Sequence, residues 1–109
     1  MNKDTVLLEH IKEEIAFLEF QFARTTLEDL LSDPLLQRGT VRSLEIIGEA
    51  VKNLSDDFKT NNSEIEWKEI AGMRDKLIHQ YFAVDWNIVW EVIQDRIPEL
   101  KETVDKVLY

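Results

Sequence analysis

Only three glycines and two prolines are spread over 109 residues, and that shortage of breakers constrains the fold more than any other feature of the chain. Tight hairpins draw on glycine and proline for their turn conformations. This chain has little room for them. Apolar residues recur instead at three- and four-residue spacing, the pattern of amphipathic helix. Leu7, Leu8, Ile11, Ile15, Leu18 and Phe22 form the first such stripe, with Glu9, Lys12, Glu13 and Glu14 on the other face. Asp4 precedes it as a candidate N-cap. Thr25, with Glu28 three residues on, resembles a capping box and predicts a helical turn from there. Asp33-Pro34 is a strong start signal, a cap followed by proline at the first helical position.

The helix that follows carries Val41, Leu44, Ile47, Val51 and Leu54 inward. Gly39 is a candidate break near its start. Gly48, inside it, costs about 1 kcal/mol against alanine and reads as a close crossing with another helix. Ser55 is placed to cap a short helix through Phe58. Lys59-Thr60-Asn61-Asn62-Ser63 has the composition of a loop. A further helix is expected from near Glu66 to about His79, with Trp67, Ile70, Met73 and Leu77 inward. Asp85 caps a last long helix carrying Trp86, Val89, Trp90 and Ile93. At Pro98 a new helix begins or this one kinks, and Leu100, Val104 and Val107 continue its stripe. At helical spacing, the three tryptophans read as core rather than as base-stacking platforms. Repeats and low-complexity segments are absent. The expected fold is all-α, an up-and-down bundle of about five helices forming one domain over residues 1–109.

Composition bounds the function. With no cysteine, disulfides and thiolate chemistry are excluded, which suits a reducing cytoplasm. No apolar run reaches about 18 residues, so no membrane span is expected. Met1-Asn2-Lys3-Asp4 runs straight into a helical pattern without the apolar region of a signal peptide. His10 and His79 stand far apart with no metal-ligand pattern around them, so no metal site is expected. The formal charge of −9 argues against a broad nucleic-acid surface. Any RNA contact must come from a local supply, and Arg38, Arg42, Lys52, Lys68, Arg74 and Lys76 are the candidates.

The segment Met73-Arg74-Asp75-Lys76-Leu77-Ile78-His79-Gln80-Tyr81-Phe82 concentrates the chemistry. Arginine clamps phosphate through a planar fork of donors. Histidine moves protons near neutral pH. Phosphodiester cleavage needs both. On an ideal helix positions 74 and 79 lie about 140° apart, at about 100° per residue. Arg74 must therefore reach back, or the site is assembled from two copies. Asp75 and His79, four apart, share a face, and Asp75 is a candidate to orient the imidazole. His79 falls at the expected helix end, where the dipole favours positive charge. Arg42 and Glu49, with Glu45, share one face of the preceding long helix. They are either a solvated face with weak pairs or a lining for the cleft.

Arg74-x4-His79-x-Tyr81 resembles the signature of the HepT-like group of HEPN proteins, the toxin halves of HepT–MntA toxin–antitoxin pairs. The stretches Arg42–Ala50, Trp67–Arg74 and Val84–Trp90 resemble that family in the same order and spacing. The resemblance implies an HEPN bundle and a homodimer with both motif copies converging. It implies an endoribonuclease that uses no metal or cofactor, with Arg74 and His79 catalytic and Asp75 and Tyr81 supporting. The RNA 2′-hydroxyl would be the nucleophile. It further implies that a nucleotidyltransferase antitoxin of the MntA type attaches AMP to Tyr81. Gln80 stands where many relatives have glycine. The alternative reading is a non-catalytic HEPN module that docks a nucleotide or a partner.

Overall fold

Residues 3–79 and 83–109 are described by a computed structural model, and every regular element among them is helical. The elements are α1 (Lys3–Phe22), α2 (Leu27–Ser32), α3 (Pro34–Asn53), α4 (Asp56–Asn61), α5 (Trp67–His79), α6 (Trp86–Glu91) and α7 (Ile97–Leu108). A five-residue π-helical segment, Val92–Arg96, joins α6 to α7 without a break, because Val92, Arg96 and Ile97 all keep right-handed helical dihedrals. The all-α bundle expected from the apolar spacing is what the chain forms.

Local chemistry accounts for most of the boundaries. Asp33 Oδ1 accepts from the amides of Leu35 and Leu36 at 3.0 and 3.2 Å, and Pro34 opens α3. Ser55 Oγ accepts from Phe58 N at 3.1 Å, and Asp85 Oδ1 accepts from Asn87 N at 3.0 Å. Each ties down an amide that the helix itself leaves without a partner.

Several expectations shift. The capping box before α2 uses Thr26 and Asp29, not Thr25 and Glu28: each side chain meets the other's backbone N–H, at 3.2 and 3.0 Å. Thr25 instead donates back to the Gln21 carbonyl at the end of α1. Asp4 lies inside α1, and its carboxylate accepts from Ser55 N at 2.8 Å and Ser55 Oγ at 2.6 Å. It is thus a tether between the starts of α1 and α4 rather than a cap. Gly39 does not break α3, and a Cβ there would face the edge of Phe17 at an ordinary 3.8 Å. Lys59, Thr60 and Asn61 belong to α4, and the turn begins at Asn62. Val107 is 44% exposed, since the stripe of α7 runs through Ile97, Leu100, Val104 and Leu108.

Pro98 stands in the first turn of α7, as expected of a new start there, and the rod runs on through it without a break. Proline lacks the N–H and its ring crowds the carbonyl four residues back, here that of Gln94. The π turn around Gln94 widens the helical ladder where that conflict falls.

One core holds the helices together. Leu8, Ile11, Ile15 and Leu18 of α1 meet Leu44, Ile47 and Val51 of α3. Trp67, Ile70 and Leu77 of α5 and Ile93, Ile97, Leu100 and Val104 of the last rod close it. Helix α3 is central, packed on α1 along one side and on α5 along another. Contacts between residues 14 and 43 and between 4 and 55 make α1 and α3 antiparallel. Those between 19 and 101 and between 12 and 109 do the same for α1 and α7. The tryptophans pack as core. Trp67 is buried, with Nε1 donating to Asn62 O at 3.0 Å and Phe58 edge-on at 5.6 Å, and Trp90 lies 6.0 Å from Phe22. No helix among the described residues is long and apolar enough to cross a membrane.

Candidate active site

Gly48 is where the site begins. A Cβ at that position would overlap Cβ of Arg74 and lie 3.1 Å from its Cγ and 3.3 Å from its Cα. Glycine is therefore required for α3 and α5 to approach as they do, and the residue on the other side of that contact is the motif arginine. The close crossing expected at Gly48 is present, and it fixes the root of Arg74.

The guanidinium is then held from two sides. Glu49, next to Gly48 on α3, places Oε2 3.0 Å from Arg74 Nε, and Asp75 Oδ1 accepts a hydrogen bond from Nη1 at 3.0 Å. Asn53 Nδ2 donates to Glu49 Oε1 at 3.3 Å and to its carbonyl at 2.8 Å, which steadies the carboxylate. A guanidinium has five N–H donors in a planar fork. Among the described residues Nη2 has no partner, so an edge of the fork stays open for an anion. The side chain is 26% exposed, between carboxylates about half exposed. The arrangement is an oriented, partly desolvated cation that solvent can still reach.

Arg74 also lines a cleft of about 230 Å³ between α1, α3 and α5. Leu7 and His10 line it from α1, Arg42, Glu45, Ile46, Glu49, Ala50 and Asn53 from α3, and Arg74 and Ile78 from α5. Arg42 and Glu49, the two cleft candidates in the sequence, are both present. His10 joins them, although nothing in the sequence connects it to the motif. Its signal is faint: Leu7 and His10 lie three apart on one side of α1, and which helix that side faces is decided only by packing.

His79 is placed differently. It is the last residue of α5, exposed, and not among the residues lining the cleft. The Arg74 guanidinium is engaged by Glu49 and Asp75, and no hydrogen bond joins it to His79 among the described residues. Among the described residues no hydrogen bond joins Asp75 to His79. Asp75 turns to its neighbour Arg74, so the orienting contact expected from four-residue spacing is replaced by an arginine pair. Tyr81, with Gln80 and Phe82, lies outside the described residues. Among those described, no group of three or more His, Asp or Glu is arranged to hold a metal ion.

A larger hollow, about 420 Å³, lies on the opposite side of α5. Ile70, Met73 and Leu77 face Ile88, Val89 and Val92 across it, with Lys68, Lys76 and Arg96 at its rim. Two of the expected RNA-contacting lysines are therefore on this side, away from Arg74. Its walls are apolar and it contains neither Arg74 nor His79, so size alone does not mark the chemical site.

A family model described as "Ribonuclease HepT-like" matches residues 11–107. The chain is 54% identical over 101 residues to "Putative RNase TTE0752" of Caldanaerobacter subterraneus subsp. tengcongensis, covering 93% of this chain and 90% of that one. It is 46% identical over 100 residues to "Probable ribonuclease HepT" of Thermococcus cleftensis, covering 92% and 91%. It is also 43% identical over 109 residues to "Gamma-glutamylcyclotransferase and putative RNase MJ0434" of Methanocaldococcus jannaschii. That match takes 99% of this chain but only 49% of the relative, so the chain spans about half of that protein. No solved structure matches the chain.

Proposed function

Because the chain belongs to the HepT-like ribonuclease family, we propose that it is the toxin of a toxin–antitoxin pair, an endoribonuclease that cuts RNA without a metal. The observation that carries this reading is Arg74, seated on Gly48, held by Glu49 and Asp75, and lining a cleft. Nη2, unpartnered among the described residues, suits a charge-assisted hydrogen bond to a phosphoryl oxygen. The 2′-hydroxyl attacks phosphorus and a base accepts its proton. The bond to the 5′-oxygen breaks, and that oxygen takes a proton from an acid. The products are a 2′,3′-cyclic phosphate and a 5′-hydroxyl. Arg74 offsets the charge growing on the phosphoryl oxygens, and His79 supplies proton transfer.

Within one chain His79 stands outside the Arg74 cleft, so the reading includes a homodimer. A two-fold axis beside the end of α5 brings a second motif within reach and completes the site. The same displacement of His79 favours one other reading, a binding module with no turnover. Single-turnover cleavage of a labelled RNA separates the two. Arg74→Ala and His79→Ala are each expected to abolish cleavage while melting within a few degrees of wild type. Wild-type cleavage by His79→Ala would sink the mechanism. Light scattering at micromolar concentration is expected to give twice the chain mass.

Control in this reading comes from a nucleotidyltransferase antitoxin that transfers AMP to the Tyr81 phenol, with pyrophosphate leaving ATP. The added phosphate brings negative charge two residues from His79 and competes with RNA for arginine. Co-expression with the cognate enzyme should add the mass of one or more AMP units at Tyr81 and suppress cleavage, and Tyr81→Phe should escape both.

A further inference from the structure

Arg74 enters its cleft already compensated, with Glu49 at 3.0 Å from Nε and Asp75 at 3.0 Å from Nη1. Glu45 lines the same cleft. An RNA strand carrying a charge at every nucleotide would meet little net attraction from these residues alone, on a chain whose formal charge is −9. Two further groups reach the cleft with nothing to hold them. Arg42 of α3 and His10 of α1 are both exposed, both line it, and neither makes a hydrogen bond or ion pair among the described residues. An imidazole offers an N–H donor in either protonation state, and a guanidinium offers five.

Their placement spreads them along the cleft: the pairings of Glu14 with Ser43 and of Asp4 with Ser55 set His10 level with Ile47 and Gly48, and leave Arg42 towards the other end. Arg42 precedes Glu49 by two turns of α3, about 10 Å along the axis. That offset along α3 suits a neighbouring phosphate of the same strand, with Arg74 fixed beside Glu49. Leu7, Ile46 and Ile78 line the same cleft, half-buried apolar side chains against which a base can rest. We propose that Arg42 and His10 form a second phosphate station in the Arg74 cleft, gripping the backbone of single-stranded RNA beside the scissile phosphate. This rests on the ribonuclease reading of the site.

The test uses the full chain and unstructured oligoribonucleotides of two, four and ten nucleotides. For wild type, KM should fall as the substrate lengthens from two to four. Arg42→Ala should flatten that dependence, raising KM for the ten-nucleotide substrate about tenfold, roughly one good charged contact. His10→Ala should raise it severalfold, Arg42→Lys should restore part of the loss, and Lys106→Ala on α7 should leave the length dependence intact. A variant that lowers kcat equally at every length would overturn the proposal, since it would place these residues in the reaction itself. A second measurement does not depend on cleavage. Anisotropy of a 2′-O-methyl ten-nucleotide RNA gives the dependence of log Kd on log salt. Arg42→Ala should reduce that slope by about 0.7, the value for one phosphate contact on a single strand. If wild type cuts no RNA, the ribonuclease reading falls, yet a reduced slope would still establish the station. An unchanged slope, or no binding by wild type, would overturn it. Both positions are exposed, so truncation leaves the core untouched, and melting curves verify that.

Discussion

Gly48 and Gly72 stand on the two sides of the motif helix in opposite circumstances. At Gly48, on α3, an added methyl would run into Cβ and Cα of Arg74. At Gly72, on α5 itself, the same methyl would meet nothing within 4 Å. One side of α5 is closed by a crossing so tight that it requires glycine, and by ion pairs that aim a side chain. The other side borders a hollow of about 420 Å³ with apolar walls. Precision in this fold is local: it is concentrated where the cation must be held, and the opposite side of the same helix is left loosely covered. Rigid support on regular elements is what the proposed phosphate clamp needs.

The largest effect expected from this contrast is at Gly48→Ala. The neighbour is the stem of Arg74 rather than the far end of a flexible side chain, so α3 and α5 must separate. Overpacking of this kind costs about 1–3 kcal/mol, against at most about 1 kcal/mol gained in helix propensity. Thermal melting should fall by several degrees, and RNA cleavage should fall further than stability because Arg74 moves with the backbone. An unchanged melting temperature would show that the crossing yields freely and that the two sides of α5 do not differ.

Next is Glu49→Gln, which keeps the shape beside Arg74 and removes the charge. Both partners reach solvent, so the stability change should be about 1 kcal/mol or less. Misplacing a clamp by an ångström can cost about a hundredfold in rate, and a loss in kcat of up to that size is expected. Loss of stability without loss of rate would reduce Glu49 to a structural pair.

Gly72→Ala should act in the opposite direction to Gly48→Ala. With open space beside it, alanine brings only its helix preference, a gain of about 0.5–1 kcal/mol and a rise of a few degrees in melting. A fall instead would mean that the hollow is filled in solution.

The contrast also separates what the sequence shows from what it hides. Helices, their inward stripes and the caps at Asp33, Ser55 and Asp85 are legible because a helix writes its period and its ends within a few residues. The capping box before α2 is legible only to within one residue. Thr25 and Thr26 each have an acid three positions on, and the choice depends on α1 ending at Phe22 and using Thr25 to close its last turn. At the site, Arg74 and His79 stand out by type and spacing, and the angle between them leaves two arrangements open in the sequence, a reach back along the helix or a site assembled from two copies. Asp75 misleads, because four-residue spacing permits a contact with His79 while adjacency to Arg74 supplies a charged partner. His10 is hidden altogether, since its neighbours come from α3 and α5 and no local pattern points to them.

Asp4 gives the smallest effect and the most direct probe of pH. The Ser55 hydroxyl, then the Ser55 amide, stabilise its carboxylate and hold its pKa below the ordinary value of 3.8. The bonds tie α1 to α4 on the well-packed flank of α3, where a polar stitch supplements the core. A carboxylate whose folded pKa is depressed adds stability that is fully present above its unfolded pKa. That contribution is lost as pH falls through the folded value. Asp4→Asn should therefore melt slightly below wild type near neutral pH, by about 1 kcal/mol or less for a pair this exposed. The gap should narrow as pH drops below 3.8 and close once the wild-type carboxyl is protonated. Denaturant titrations of both proteins between about pH 7 and about pH 3, spanning the ordinary carboxylate range, measure it. A gap that stays constant over that range would show that Asp4 contributes through shape alone, and that the stitch does not depend on its charge.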